Sequence, residues 1–197
     1  MRKHLFIINP VSFKARANLD AFISSVKHQF KTAIKGECDV HISLFPRHAV
    51  QIIRQYITGA GPEDPVRVYA VGGDGILFDC LNGIVGLPNM ELAPVPCGHT
   101  NDFVRAFGEG LEGVFRNVLL LAGASTISTD ILRCGSNYAL NLCTVGLESA
   151  AIFHSVTLRK GLRVWPQFFR NSSFIYNLIY SLGGFMAMLD QKILKQK

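Results

Sequence analysis

The chain has 197 residues, enough for one domain or for one domain and part of another, and a chain of that size buries a substantial core. Hydrophobic residues make up 49% and charged residues 17%, which excludes an intrinsically disordered chain. The formal charge of +6 suits an anionic partner, whether a nucleotide, an acidic lipid surface or a nucleic acid, and does not choose among them.

Five cysteines, Cys38, Cys80, Cys97, Cys134 and Cys143, form an odd set without a C-x-x-C pair. Neither a disulfide framework nor a zinc site is indicated, and a reduced, cytoplasmic protein is expected. The start, Met1-Arg2-Lys3-His4 followed by Leu5 to Ile8, offers only about four apolar residues before Asn9-Pro10, too few for a signal-peptide core.

The first elements read as β-α units. Leu5-Phe6-Ile7-Ile8 is a buried strand, followed by the polar segment Ser12 to Arg16 and an apolar-periodic helix from about Asn18 to Ile34. The pattern returns with a strand at Val40 to Leu44 and a helix from His48 to Tyr56. It returns again with a strand at Val66 to Val71 and a helix from about Leu77 to Val85. Repeated β-α units predict a parallel sheet covered by helices. A fourth strand, about Leu92 to Val95, leads into a helix that starts near Thr100 or Asn101, both capping residues.

After Gly123 the pattern changes. Ser125 to Leu132 and Tyr138 to Val145 alternate like antiparallel strands around the turn Cys134-Gly135-Ser136-Asn137. From about Ala150 the pattern is helical and aromatic-rich, with Phe153, Trp165, Phe168, Phe169, Phe174, Tyr176, Tyr180 and Phe185. The uncharged stretch from Asn171 to Leu189 is interrupted by polar residues and glycines and reads as a buried or interfacial helix, not a membrane span. The fold class expected is α/β: a Rossmann-like parallel sheet covered by helices over residues 1–124, then the start of a second, mainly antiparallel β domain with a helical segment over 125–197. A lone hairpin buries no sheet face, so the second unit reads as incomplete: either the hairpin borrows the first domain for cover, or the chain is the amino-terminal piece of a longer protein.

Chemistry concentrates at two turns. Val71-Gly72-Gly73-Asp74-Gly75 follows directly on the third strand and opens a helix. Such a turn presents backbone N–H groups and the positive end of a helix dipole to phosphate, with Asp74 as a metal partner. No G-x-x-x-x-G-K-[ST] is present and no G-x-G-x-x-G follows the first strand, which excludes a P-loop and the dinucleotide fingerprint. The second turn, Pro96-Cys97-Gly98-His99-Thr100-Asn101-Asp102-Phe103, ends the fourth strand and belongs to the same carboxyl edge, where open α/β sheets bind ligands.

Ile8-Asn9-Pro10, Phe45-Pro46-Arg47-His48-Ala49, Gly72-Gly73-Asp74-Gly75 with Leu81-Asn82-Gly83, and Pro96 to Arg105 occur together and in order. In this the chain resembles the catalytic domain of the diacylglycerol kinase and sphingosine kinase family, particularly its bacterial lipid kinases, over residues 5 to about 150. The resemblance implies a two-domain, ATP- and Mg2+-dependent lipid kinase, distantly related to NAD kinases and phosphofructokinases. It implies that Asn9 lies near the adenosine side, that Ser43 stands where a phosphate-contacting threonine is usual, and that Gly72, Gly73, Asp74 and Gly75 cradle the phosphates. It also implies that Gly98 and Asn101 hold the second turn against the nucleotide, with His99 among the nucleotide-binding residues as a structural or phosphate-adjacent group, and that Asp102 with Arg105 braces the turn. Asp74 is the catalytic carboxylate of this stretch, and Asp74 and Asp130 share the magnesium-water network; the plain alternative for Asp130 is a turn carboxylate.

Two departures are visible: Ile76 and His99 replace the family's usual threonines, which weakens phosphate binding where a hydroxyl is lost. The family's general base lies beyond the region corresponding to residue 197, so this piece alone is expected to be inactive or nearly so. The expected substrate is diacylglycerol or a related long-chain lipid met at a membrane surface by a cytoplasmic, peripherally associated protein. A nucleic acid is not expected, and a homodimer is left open. The competing readings are a catalytically silent nucleotide- or lipid-binding module and a soluble kinase related to NAD kinase.

Overall fold

The computed structural model describes residues 2–13, 15–59, 65–98, 101–108, 110–161 and 173–194. They fall into two compact units, Met1–Leu142 and Cys143–Lys197.

In the first unit, β1 (Lys3–Ile8), β2 (Asp39–Ile42), β3 (Val66–Gly72) and β4 (Met90–Pro96) form one sheet in the order β2-β1-β3-β4, with every pairing parallel. Between them run α1 (Arg16–Gln29), α2 (His48–Gly59) and α3 (Asp74–Ile84). The four-stranded parallel sheet between helices is the α/β fold expected. Its order has a functional consequence. The chain leaves β1 for β2 on one side and returns to β3 on the other, so β1 and β3 are neighbours whose connections diverge. A crevice opens outside the carboxyl ends of two such strands, where ligands of α/β proteins bind. Asn9 follows β1 at that edge and Gly72 ends β3, with the Asn9 N–H donating to the Val71 carbonyl at 2.9 Å.

Alternation along the central strands sorts the core into two faces. Leu5 and Ile7 of β1 pack with Val66, Val68 and Ala70 of β3 against Ile52 and Ile53 of α2 and Ile76, Leu77 and Cys80 of α3. Phe6 and Ile8 face the other way, with Tyr69 and Val71, toward Leu19 and Val26 of α1. Also on that face lie Phe30 and the residues Val118 and Ala122 of α6 (Val118–Gly123). β3 is buried along its whole length, as a central parallel strand must be. On the second face the Phe6 and Tyr69 rings stack 4.1 Å apart. α2 and α3 approach closely at Gly83, where a Cβ would lie 2.6 Å from Ile53 Cδ1 and would require that side chain to move.

At the opposite, amino-terminal end of the sheet, buried Arg67 pairs with Glu91 at 2.6 Å and donates to the carbonyls of Leu121, Ala122 and Ala124 at the end of α6. Next to it His4 Nδ1 lies 2.9 Å from the Tyr69 hydroxyl. Burial, then the positive charges of Arg67 and Arg2, push the His4 pKa down from 6.5 to about 4, against a smaller opposing effect of Glu91.

Beyond β4 come α4 (Asp102–Arg105), α5 (Glu112–Arg116), α6 and the hairpin of β5 (Leu132–Cys134) and β6 (Asn137–Ala139). The small antiparallel sheet expected after the α/β sheet is present, but its strands are only three residues each, much shorter than the alternation over 125–132 and 138–145 suggested. Asn82 bonds both the N–H and the carbonyl of Tyr138, pinning the middle of β6 to α3.

The second unit contains α7 (Leu147–Gly161) and α8 (Ser173–Leu194). The two helices approach closely at Gly183, where a Cβ would lie 2.5 Å from the Ala151 carbonyl. A His154–Asp190 pair at 2.7 Å joins them. Among the described residues no helix is long and apolar enough to cross a membrane. Cys38, Cys80 and Cys97 are free thiols, whereas Cys134 and Cys143 are each disulfide-bonded. The expectation of a fully reduced set fails for those two, because cysteine count and spacing carry no information on proximity in the fold.

Candidate functional site

The site grows from two backbone turns. β3 ends at Gly72, whose φ of 153° is a conformation that L side chains rarely adopt. A Cβ there would lie 2.7 Å from Ile76 Cγ2 and 3.2 Å from Asn9 Cβ. Gly73 is the N-cap of α3, and no side chain caps the helix. The first-turn N–H groups of α3, together with the positive end of its dipole, therefore face the crevice. Gly75 in that turn borders open space. The helix starts at Asp74 rather than at Leu77, since the N-cap glycine lets the chain turn directly from the strand.

The second turn rests on the first. The Cys97 N–H donates to the Gly72 carbonyl at 2.9 Å, and a Cβ at Gly98 would lie 2.5 Å from the Gly73 nitrogen and closer still to its Cα. Backbone therefore packs on backbone, and only glycine permits it.

Asp74 joins the two turns. Its carboxylate accepts the N–H of Asp102 at 3.1 Å and that of Phe103 at 3.4 Å, so it serves the start of α4. Asn101, a capping residue by sequence, makes no side-chain cap bond there. Instead its amide donates to the Gly98 carbonyl at 3.3 Å, and its buried Oδ1 has no hydrogen-bond partner among the described residues. An enclosed carbonyl without a donor costs stability unless a ligand or its water shell supplies one.

Ion pairs support the second turn from outside. Arg105 reaches Asp102 at 3.3 Å and Glu112 at 3.4 Å, Glu112 reaches Arg116 at 3.1 Å, and Arg116 Nε donates to the Pro96 carbonyl at 2.8 Å. Such exposed pairs each contribute little energy, and their effect is to orient the turn.

The remaining residues singled out by sequence are placed as follows. Asn9 follows β1 and its Oδ1 accepts the Val11 N–H. Ser43, buried just after β2, donates its N–H to the Ile8 carbonyl at 2.8 Å, beside the end of β1. Ile76 is 4% exposed and belongs to the core, so it offers nothing polar to the crevice. Asp130 is exposed in the irregular stretch between α6 and β5. Among the described residues no group of three or more His, Cys, Asp or Glu forms a ready-made metal cage. His99, Trp165, Phe168 and Phe169 lie outside the described residues.

An apolar pocket of about 260 Å³ adjoins the turns. Leu77 and Phe78 of α3, Phe103 of α4, Ala139 at the end of β6 and the following Leu140, Asn141 and Leu142 line it, with Asp74 and Asp102 at its polar side. Sequence reasoning missed its outer wall and the anchors of that wall, Arg47, Asp79 and Asn137. They carry no periodic signal, since Arg47 and Asn137 meet across 90 residues of chain.

An uncapped helix start, a glycine-only backbone contact and one carboxylate stand together at the switch point of a parallel sheet, the place where open α/β sheets take their ligands. The sequence profile of the diacylglycerol kinase catalytic domain matches residues 3–134, and the chain belongs to that family. A protein of Shewanella frigidimarina called "Probable lipid kinase YegS-like" is 32% identical over 97 residues, covering 47% of this chain and 31% of its own length. The diacylglycerol kinase of Bacillus subtilis is 26% identical over 125 residues, covering 52% of this chain and 41% of the relative. A solved structure from Bacillus anthracis, assigned to the diacylglycerol kinases, shares the fold. It has a TM-score of 0.53 at 23% identity, over 69% of this chain and 44% of that one. The chain thus spans well under half the length of these relatives.

Proposed function

We propose that the protein is a lipid kinase that transfers the γ-phosphoryl group of MgATP to the hydroxyl of diacylglycerol or a related long-chain lipid, met at a membrane surface. The observation that carries this reading is the position of Asp74. One carboxylate stands both at the glycine turn and at the edge of an apolar pocket. A phosphate donor on one side and an oily acceptor on the other is the arrangement a lipid kinase needs, whereas a soluble sugar or dinucleotide acceptor calls for a polar pocket.

The residues present fit the triphosphate. The uncapped α3 amino terminus presents its first backbone N–H groups, and Gly75, which borders open space, leaves room for phosphate oxygens against them. Magnesium normally takes one or two carboxylates, phosphate oxygens and water, so a preformed cage is not required; Asp74 is its anchor here, with Asp130 the second carboxylate proposed. Magnesium would neutralise charge on the transferring phosphoryl group. Each Asp74 oxygen has a lone pair left after serving α4, and the orphaned Asn101 Oδ1 suits a water in the metal's shell.

Ile76 favours a second reading, a nucleotide- or lipid-binding module without turnover, because its buried side chain replaces a hydroxyl at the phosphate turn. Radiolabelled ATP with diacylglycerol in mixed micelles separates the two. Label appearing in lipid supports the kinase, while saturable MgATP binding with no transfer to any lipid tested supports the module.

A further inference from the structure

The hairpin of β5 and β6 is too short to stand alone, yet the residues that follow it wall the apolar pocket. What holds it is therefore what shapes the pocket. Beside the disulfide at Cys134, two hydrogen-bonded attachments to the α/β part contribute. Asn82 bonds Tyr138 through both backbone groups at 2.9 Å, and Arg47 Nη2 donates to Asn137 Oδ1 at 2.8 Å.

Arg47 is the unexpected partner. Its φ is 68°, a left-handed backbone that costs any residue with a Cβ and that glycine adopts freely. Such a conformation persists only where its surroundings over-determine it. Here Asp79, a buried carboxylate of α3, accepts the Arg47 N–H at 2.8 Å and lies 3.7 Å from its guanidinium. The guanidinium also covers the ring of Phe78, its carbon 5.2 Å from the centroid, and Phe78 lines the pocket. From one strained position the side chain thus touches α3, the hairpin and a pocket residue.

The geometry points to Arg47 as a positioning residue. It latches the hairpin to α3 through Asn137, thereby setting where Leu140 and Leu142 stand and how bulky an apolar acceptor can reach Asp74. The specificity half of this inference rests on the lipid-kinase reading; the latch itself does not.

The test uses Arg47→Gly, which keeps the backbone conformation without strain, and Asn137→Ala, which removes the other end of the contact. Amide exchange of residues 138–142 in the full chain reports the latch, and both variants should exchange those amides at least about 10-fold faster than the parent. Unchanged exchange in both overturns the latch whether or not the protein is a kinase. Competition between dioctanoylglycerol and dioleoylglycerol in micelles reports the wall. The variants should change the preference between the two by at least about 5-fold, while MgATP affinity stays within about twofold. Faster exchange with an unchanged preference, or a parent chain that binds neither lipid, overturns the specificity role. Failure of transfer with lipid discrimination intact overturns only the kinase reading.

Discussion

The Asp74 carboxylate accepts the backbone N–H of Asp102 at 3.1 Å, across 28 residues of chain. The side chain that marks the first glycine turn is thus also the cap of the helix after the second, so the nucleotide role proposed for Asp74 would draw on the same two oxygens as local folding.

Asp74→Asn tests this double use. An amide offers one carbonyl oxygen in place of two charged ones, so one of the N–H groups of Asp102 and Phe103 loses its acceptor. Losing a charge-assisted bond costs about 1.5–3 kcal/mol. MgATP titration is expected to show roughly 10- to 100-fold weaker binding, and hydrogen exchange at Asp102 and Phe103 to accelerate. Faster exchange with unchanged MgATP affinity would confine Asp74 to a structural role.

Two glycines of the site should respond in opposite directions. Gly98→Ala pushes a methyl group into the backbone of Gly73, where no rotamer change relieves it, and is expected to destabilise the fold by roughly 2–3 kcal/mol. Gly75→Ala points into open space within the first turn of α3 and should stabilise by about 0.5–1 kcal/mol. If phosphate approaches that face, the same alanine weakens MgATP binding while raising the melting temperature. Thermal unfolding with and without MgATP reads both signs.

The residue that follows the turn separates stability from binding. Ile76→Thr removes apolar volume from the α2–α3 side of the core and buries a hydroxyl, at a cost of about 1–2 kcal/mol. A hydroxyl turned toward phosphate should tighten MgATP binding by roughly 10-fold. A less stable variant with unchanged affinity would show that position 76 does not face the nucleotide.

At the other end of the sheet, His4 makes stability depend on pH. Its pKa lies below its ordinary 6.5, at about 4, because burial and then Arg67 and Arg2 oppose its charge. Between those values the unfolded chain binds a proton that the folded chain resists. Stability is therefore lost as pH falls from 6.5 toward 4, by a total on the order of 3 kcal/mol. His4→Gln, compared with the parent in denaturant melts at pH 7 and pH 4.5, should flatten this dependence. An equal slope in both proteins would place the acid sensitivity elsewhere.

Much of this molecule is written in local pattern. The apolar run Leu5 to Ile8 and the run Val66 to Val71, apolar but for Arg67, announce buried parallel strands, which are covered on both faces. Glycines directly after a strand announce a phosphate turn, since few other residues allow that backbone. The hairpin was legible as a turn, but its attachment to α3 was not, because that depends on Asn82, far away in sequence, which captures Tyr138. The apolar pocket escaped detection for the same reason. The aromatic stretch from Phe153 to Phe185 drew attention to the second unit, while the pocket is lined by Leu77, Phe78, Phe103 and Leu140 of the first.

The sequence by itself determined the β-α succession, the parallel sheet, the two glycine turns and the family, because each is encoded in neighbouring residues and in the steric freedom of glycine. Only the tertiary structure decided that Asp74 caps α4, that Gly98 lies on Gly73, and that Arg47 and Asn82 hold the hairpin over α3. Those relationships join residues far apart along the chain. They carry no period and no propensity, and arise only once the packed sheet brings its loops to one edge.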